Sequence, residues 1–148
     1  MLIRSQIQSR IPHAGTMCLL DSVRRWDATT IICEAQAPTA AHPLAHTAGS
    51  RGVPAVAAVA AVAAVEYAAQ AAAVHGSLLD DTDSPRDGLL AKLTDVELRA
   101  AGLDEVGGPL TIRAQLLSRV ASGCSYSFDV SDQRGCVARG RLLVAFQA

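Results

Sequence analysis

Residues 53–76 read VPAVAAVAAVAAVEYAAQAAAVHG, and this stretch decides the fold. Alanine is the best helix former, and Pro54 suits the first position of a helix. Valine recurs every three residues from Val56 to Val65, so the apolar surface spreads around most of the helix. A helix that is apolar nearly all round is buried on most sides. We therefore expect one long buried helix that ends at Gly76.

The same stretch is long enough to suggest a membrane span, because residues 53–74 are mostly Ala and Val. Glu66 and Gln70 lie inside it, however. A charge at the centre of a span costs roughly 2.5–3.5 kcal/mol. The sequence therefore favours a helix buried in the core of a soluble protein.

The segments around the helix alternate apolar and polar side chains, as half-buried strands do. Strands are predicted at residues 29–37, 90–99, 110–117, 124–130 and 136–146. Residues 132–135 read as a hairpin turn, residues 38–53 as a loop and residues 1–26 as irregular structure. Because alternation with hairpins is typical of antiparallel sheets, we predict an α+β fold whose sheet wraps around the central helix. The length of 148 residues suits a single domain over residues 1–148.

Charge and cysteine usage exclude several classes of protein. The formal net charge of −1 offers no basic field for nucleic acid or an anionic membrane. The four cysteines form no C-x-x-C pair and no zinc-like spacing, so we expect reduced thiols, mostly buried, and no metal. The N-terminus lacks the apolar region of a signal peptide, which favours a cytoplasmic protein.

Two segments resemble bacterial 3-hydroxyacyl-(acyl-carrier-protein) dehydratases. Residues 11–23, IPHAGTMCLLDSV, are similar to the family's N-terminal segment PH-x-x-P-x-L-L-x-D-x-V. Residues 66–76, EYAAQAAAVHG, are similar to its central helix motif E-x-x-A-Q, and most similar to the divergent dehydratase-like branch of aryl polyene lipid pathways. The resemblance implies a hot-dog fold, no cofactor, and a homodimer or heterodimer with another hot-dog subunit. It also implies an acyl carrier protein or CoA thioester as substrate, in fatty acid or polyene lipid biosynthesis.

In that family an imidazole removes the C2 proton, and an acidic residue of the central helix helps the 3-hydroxyl to leave. Glu66 occupies the acidic position and is the first catalytic candidate, because a carboxylate in an apolar helix is costly unless paired or protonated. The alternative is a structural carboxylate that the N-terminal loop or a partner subunit satisfies. Gln70 lies one turn later on the same face, either positioning the substrate or satisfied as a core amide.

The catalytic base departs from the family pattern. Related dehydratases place their His in a loop fourteen residues before the acid, where this chain has Gly52. His42, which Pro43 follows, is the preferred substitute, and His46 is the second choice. The same two histidines could suggest a metal pair, but Pro43 disfavours a helical presentation of them.

The start of the helix departs as well. Pro54 and Ala55 take the place of the family's helix start, whose N–H group faces the thioester carbonyl. Pro54 and Glu66 are twelve residues apart, where the family has six. Either the surplus belongs to the loop and the helix begins later, or the site is degenerate. His13, in the first motif, is expected to hold the N-terminal turn or to contact substrate, and His75 to cap the C-terminus of the helix.

Three functions follow from these observations. The preferred one is an active 3-hydroxyacyl-thioester dehydratase. A hot-dog acyl thioesterase would use the same carboxylate to direct water at the thioester. A non-catalytic subunit of a heterodimeric hot-dog dehydratase would explain both the missing His loop and the longer helix. The position of a base near C2 separates the first function from the other two.

Overall fold

The computed structural model describes residues 1–10, 18–36, 55–80, 88–98, 109–133 and 135–146. Two helices and seven strands occur in these ranges. In chain order they are β1 Leu2–Ile3, α1 Arg4–Gln8, β2 Ser22–Trp26, β3 Thr30–Ala35, α2 Ala55–Leu79, β4 Gly88–Leu98, β5 Leu110–Val120, β6 Gly123–Asp132 and β7 Gly135–Phe146.

The strands form one antiparallel sheet in the order β1-β2-β3-β5-β6-β7-β4. The long helix α2 packs mainly against the middle strands β3, β5 and β6. All five predicted strands are present as β3 to β7, and β6 and β7 pair across the predicted hairpin, where Asp132 opposes Gly135. The α+β prediction of an antiparallel sheet around one long helix is confirmed.

The core follows the predicted alternation. In β3, Ile31, Cys33 and Ala35 are buried, and they lie opposite Ala114, Ile112 and Leu110 of β5. From α2 the buried apolar side chains are Tyr67, Ala68, Ala71, Ala72 and Val74. Small alanines at these positions let the helix lie close to the sheet, so the core is built mainly from aliphatic side chains and few rings.

The N-terminal region is more ordered than the sequence predicted. Residues 2–8 form β1 and α1, and residues 22–26 form β2, where irregular structure was expected. Strand β2 buries only Val23, so its alternation is too short to register as a strand pattern. Pairing with β3, in which Val23 opposes Cys33, stabilises it instead.

The helix is longer than predicted at its C-terminal end. It continues through Gly76 to Leu79, because the N–H of Asp80 still donates to the Gly76 carbonyl at 3.0 Å. At the other end it begins at Ala55, so the surplus residues are helical and not absorbed in the loop. Glu66 lies eleven positions after Ala55, which corresponds to about 16 Å of helix.

No helix in the described part of the chain has the length and hydropathy needed to cross a membrane.

The cysteines are unpaired thiols. Cys18, Cys33 and Cys124 are buried, as expected, whereas Cys136 is exposed. Burial raises the pKa of the Cys33 thiol to about 12, so this group stays protonated and packs as a small apolar side chain.

Candidate functional site

Glu66 and Gln70 are joined on one face of α2, as their spacing predicted. The Gln70 side-chain amide donates to Glu66 Oε1 at 3.1 Å. Its oxygen accepts a hydrogen bond from the backbone N–H of Leu19 at 2.9 Å. Because that oxygen is engaged by a donor, the NH₂ group of Gln70 must point toward the carboxylate. Gln70 is buried, whereas Glu66 is only partly buried.

Glu66 lies on the wall of a cavity of about 190 Å³. One wall is α2, which contributes mainly small side chains: Ala69, Ala72, Ala73 and Gly76. The opposite wall comes from β4, β6 and β7 and consists of Gly88, Leu90, Cys124, Tyr126, Val144 and Phe146. The carboxylate of Glu66 therefore faces a space with largely apolar walls, where charge interactions are stronger than in water.

The end of the cavity away from Glu66 is polar. Arg119 donates to both carboxylate oxygens of Asp80 at 2.7 Å, and its guanidinium lies 6.0 Å from the centroid of the Phe146 ring. Arg10 contacts the Ser77 hydroxyl at 3.5 Å. Sequence reasoning missed these residues, because they come from separate elements and follow no motif. Only the fold brings them together.

His75 is not the helix cap that the sequence predicted. It is fully buried four residues before the end of α2 and faces the sheet. Its Nε2 lies 2.7 Å from the Asp27 carbonyl oxygen, and its Nδ1 lies 2.6 Å from the Tyr126 hydroxyl. A carbonyl can only accept, so Nε2 carries the proton and Nδ1 accepts from Tyr126. Burial lowers the pKa of His75, which keeps the ring neutral.

Of the remaining predicted site residues, the structure describes only Ala55. His13, His42, His46 and Pro54 lie outside the described residues. Ala55 is the first residue of α2, the position predicted for it. Of the described residues around the cavity, none is a histidine. The described ranges also contain no group of three side chains that could hold a metal ion.

Comparisons with solved structures identify the architecture. The chain superposes on the dehydratase heterocomplex ApeI:P from Xenorhabdus doucetiae with a TM-score of 0.74 and 19% identity, covering 96% of this chain and 91% of that one. It is also similar to zebrafish thioesterase superfamily member 2 (TM-score 0.58, 13% identity, 97% and 95% covered). A third similar structure is AziG of S. sahachiroi (TM-score 0.55, 18% identity, 88% and 91% covered). These likenesses establish the predicted hot-dog fold.

The sequence itself matches a family. No curated protein matches the chain. The family model of ApeP-like proteins, described as ApeP dehydratase, matches residues 5–148. The match covers both segments that carried the resemblance, residues 11–23 and 66–76, and it agrees with the branch they indicated. The chain therefore belongs to the ApeP-like dehydratase family and is a dehydratase-like protein of the hot-dog fold.

Proposed function

We propose that this chain is a subunit of a 3-hydroxyacyl-thioester dehydratase in which Glu66 is the acid. One observation carries the proposal: Glu66 is the only acidic side chain in an otherwise apolar stretch of α2, and it lies on the wall of an apolar cavity. Alanine and valine fill most other positions of this stretch, so the helix forms without a carboxylate on the cavity wall. A function at the cavity accounts for its presence there.

The reaction removes water from a 3-hydroxyacyl thioester. A base takes the C2 proton, the C3–O bond breaks, and the hydroxyl leaves as water after Glu66 donates a proton to it. The electron pair of the C2–H bond becomes the new C2=C3 double bond. Hydroxide is a poor leaving group, so a positioned acid contributes typically 10²–10⁴-fold. His42 is the proposed base and His46 the second choice. Because α2 begins at Ala55, about 16 Å along the helix from Glu66, the helix N-terminus at Pro54 and Ala55 is proposed to polarise the thioester carbonyl only in a site that a second hot-dog subunit completes.

Gln70 is proposed as a positioning residue. Its amide is held between the backbone of Leu19 and the Glu66 carboxylate. These two hydrogen bonds hold the Glu66 side chain in one orientation. Without them the carboxylate would sample several orientations. Pre-set orientation lowers the entropy cost of reaching the reactive geometry.

We further propose that a second hot-dog subunit completes the site, identical or different. Strand β4 ends the sheet, and its Leu90, Leu93 and Val96 are 42%, 38% and 41% exposed. Leu90 opposes Val144 and Leu93 opposes the buried Leu142, so these two side chains point to the helix side of the sheet. Apolar side chains on the inner face of an edge strand, beside the cavity, favour cover by another chain. The similar ApeI:P structure is itself a heterocomplex.

The partner proposal predicts that Leu93→Glu weakens assembly. A charge in a closely packed apolar interface is costly, so we expect the dimer dissociation constant to rise at least about hundredfold. Leu117→Glu is the matched control, because Leu117 is an exposed leucine on the interior strand β5. Light scattering coupled to size exclusion measures the result. Equal assembly of both variants would contradict the proposal.

The function itself is tested by hydration of enoyl thioesters. Crotonyl and longer enoyl chains on CoA and on acyl carrier protein are followed at the enoyl absorbance, for the chain alone and with a candidate second hot-dog subunit. We expect activity that His42→Ala removes and that His46→Ala leaves largely intact. A chain inactive on every substrate, alone and with its partner, would overturn the dehydratase proposal.

A second candidate is a non-catalytic subunit that completes the site of an active partner. It is favoured by one observation: no histidine occurs among the described residues that surround the cavity. In that case the complex would be active, but Glu66→Gln and His42→Ala in this chain would leave its rate unchanged. Release of free thiol from acyl-CoA, followed in the same samples, would instead indicate a thioesterase.

The proposed setting is the one expected from the sequence: a cytoplasmic protein that acts on acyl chains in fatty acid or polyene lipid synthesis. The substrate would be carried by acyl carrier protein or CoA. Comparing the specificity constants for the same enoyl chain on the two carriers distinguishes them.

A further inference from the structure

The cavity is a channel along the helix. The α2 residues that line it recur every three or four positions and so share one face: Glu66, Ala69, Gln70, Ala72, Ala73, Gly76 and Ser77. Asp80 marks the far end, fourteen residues after Glu66, which corresponds to about 21 Å of helix. A site that had to hold only the reacting carbons would need a small part of that length.

The channel is open one helical turn before its far end because Gly76 has no side chain. A Cβ built on Gly76 meets no atom within 4 Å. The residue has a helical conformation and does not need the freedom of glycine, and glycine within a helix is less favourable than alanine. Neither conformation nor close packing therefore explains the glycine, whereas an occupant of the channel does.

The walls around Gly76 indicate the chemistry of the occupant. Across from the helix lie Leu90, Val144 and Phe146, which are apolar. At the far end, Arg119 and Asp80 pair through two hydrogen bonds and close the apolar part. An alkyl chain that starts near Glu66 can therefore extend past Gly76 until it meets this ion pair.

We propose that Gly76 determines the length of acyl chain that this protein accepts, with the Arg119–Asp80 pair as the end of the channel. The inference rests on the proposed function, since it takes the reacting end of the chain to lie at Glu66. A side chain at position 76 would shorten the channel and leave the space beside Glu66 unchanged. Gly76 is thus a specificity-determining residue that takes no part in the chemistry.

The test separates binding from catalysis. Butyl and hexadecyl thioethers of pantetheine cannot react, and their dissociation constants for the purified protein, in its native assembly, are measured by calorimetry. With C3 at Glu66, a chain of about sixteen carbons is needed to pass Gly76, which lies about 15 Å farther along the helix. Each methylene moved from water onto an apolar wall strengthens binding about fourfold. We therefore expect wild type to bind the hexadecyl ligand on the order of a hundredfold or more tightly than the butyl ligand.

Gly76→Leu should weaken hexadecyl binding at least about tenfold and change butyl binding less than about twofold. Ala145→Leu is the matched control, because Ala145 is exposed on β7 between the wall residues Val144 and Phe146. Gly76→Ala guards against misfolding: it should raise the melting temperature and cause a smaller loss of hexadecyl binding.

Unchanged hexadecyl binding in Gly76→Leu, or an equal loss for both ligands, would overturn the inference. So would equal binding of the two ligands by wild type. Enoyl hydration is measured in parallel on the same proteins. If wild type shows the expected chain-length pattern in binding but hydrates no thioester, the proposed function is wrong, whereas the role of Gly76 in binding the chain is supported.

Discussion

Helix α2 carries two polar regions with opposite surroundings. Near its C-terminus, His75 is fully buried, and both of its ring nitrogens have partners within the fold. Nine residues earlier, Glu66 is partly buried on the wall of a cavity, with Gln70 beside it. The difference teaches how to interpret a polar residue in an apolar helix. A buried side chain whose polar atoms are all hydrogen-bonded within the fold has a structural role, whereas a polar side chain on a cavity wall can contact a bound substrate.

The two regions also differ in what their bonds connect. His75 joins α2 to Tyr126 of β6 and to the backbone of Asp27, between β2 and β3. Gln70 joins α2 to Leu19, in the segment before β2, and at the same time directs the Glu66 carboxylate. The hydrogen bonds of His75 fix the helix on the sheet, while those of Gln70 orient the carboxylate of the candidate acid Glu66.

The largest expected effect on stability is that of His75→Ala. The change removes two buried hydrogen bonds, leaves the Asp27 carbonyl and Tyr126 hydroxyl without their His75 partner, and opens a void. We expect the free energy of unfolding to fall by about 3–4 kcal/mol. Urea denaturation measures it, with Gln115→Ala on the exposed face of β5 as control. A loss as small as that of the control would mean that His75 does not fix the helix.

Gln70→Leu should affect both properties. Leu keeps much of the volume but leaves the buried Leu19 N–H without its Gln70 acceptor, which costs about 1–3 kcal/mol. Because Glu66 also loses its orienting amide, we expect kcat for enoyl hydration to fall about tenfold while KM changes little. A variant that loses stability but keeps the wild-type kcat would make Gln70 a core amide alone.

The pH dependence of stability tests the neutral state of His75. Its pKa is lowered in the folded protein from the ordinary 6.5, chiefly by burial. As the pH falls, His75 is therefore protonated in the unfolded chain before it is protonated in the folded protein. It does not lower the free energy of unfolding above pH 6.5, and it lowers that free energy increasingly as the pH falls below 6.5. The difference in unfolding free energy between wild type and His75→Gln should shrink by up to about 1.4 kcal/mol per pH unit. A difference that stays constant from pH 7 to pH 5 would contradict a neutral buried ring.

The sequence predicted the parts of the fold that rest on repetition. Strands β5 to β7 each bury one face, so Ile112 and Ala114, or Tyr126 and Phe128, recur with a period of two. It could not predict β1 and β2, because two and five residues with a single buried side chain make no periodic pattern. Nor did Gly76 end the helix, because a glycine stops a helix only where the backbone turns left-handed, and here it continues in the helical conformation.

The candidate site was predictable only where its residues lie on one element. Glu66 and Gln70 are four residues apart, so their shared face follows from helix geometry alone. Arg119 and Asp80 are thirty-nine residues apart and meet only because β5 passes the end of α2. His75 was assigned wrongly because position near a helix end favours a cation, while the side that faces the sheet depends on tertiary packing.

The most direct test of the central claim is to measure activity and stability together for Glu66→Gln, in the native assembly. We expect enoyl hydration to fall by about 10²–10⁴-fold, because glutamine cannot donate the proton. The melting temperature should stay within about 2 °C of wild type, because the amide keeps the size of the side chain and its place beside Gln70. A variant that hydrates enoyl thioesters at the wild-type rate, or one that loses activity only by unfolding, would show that Glu66 belongs to the scaffold as His75 does.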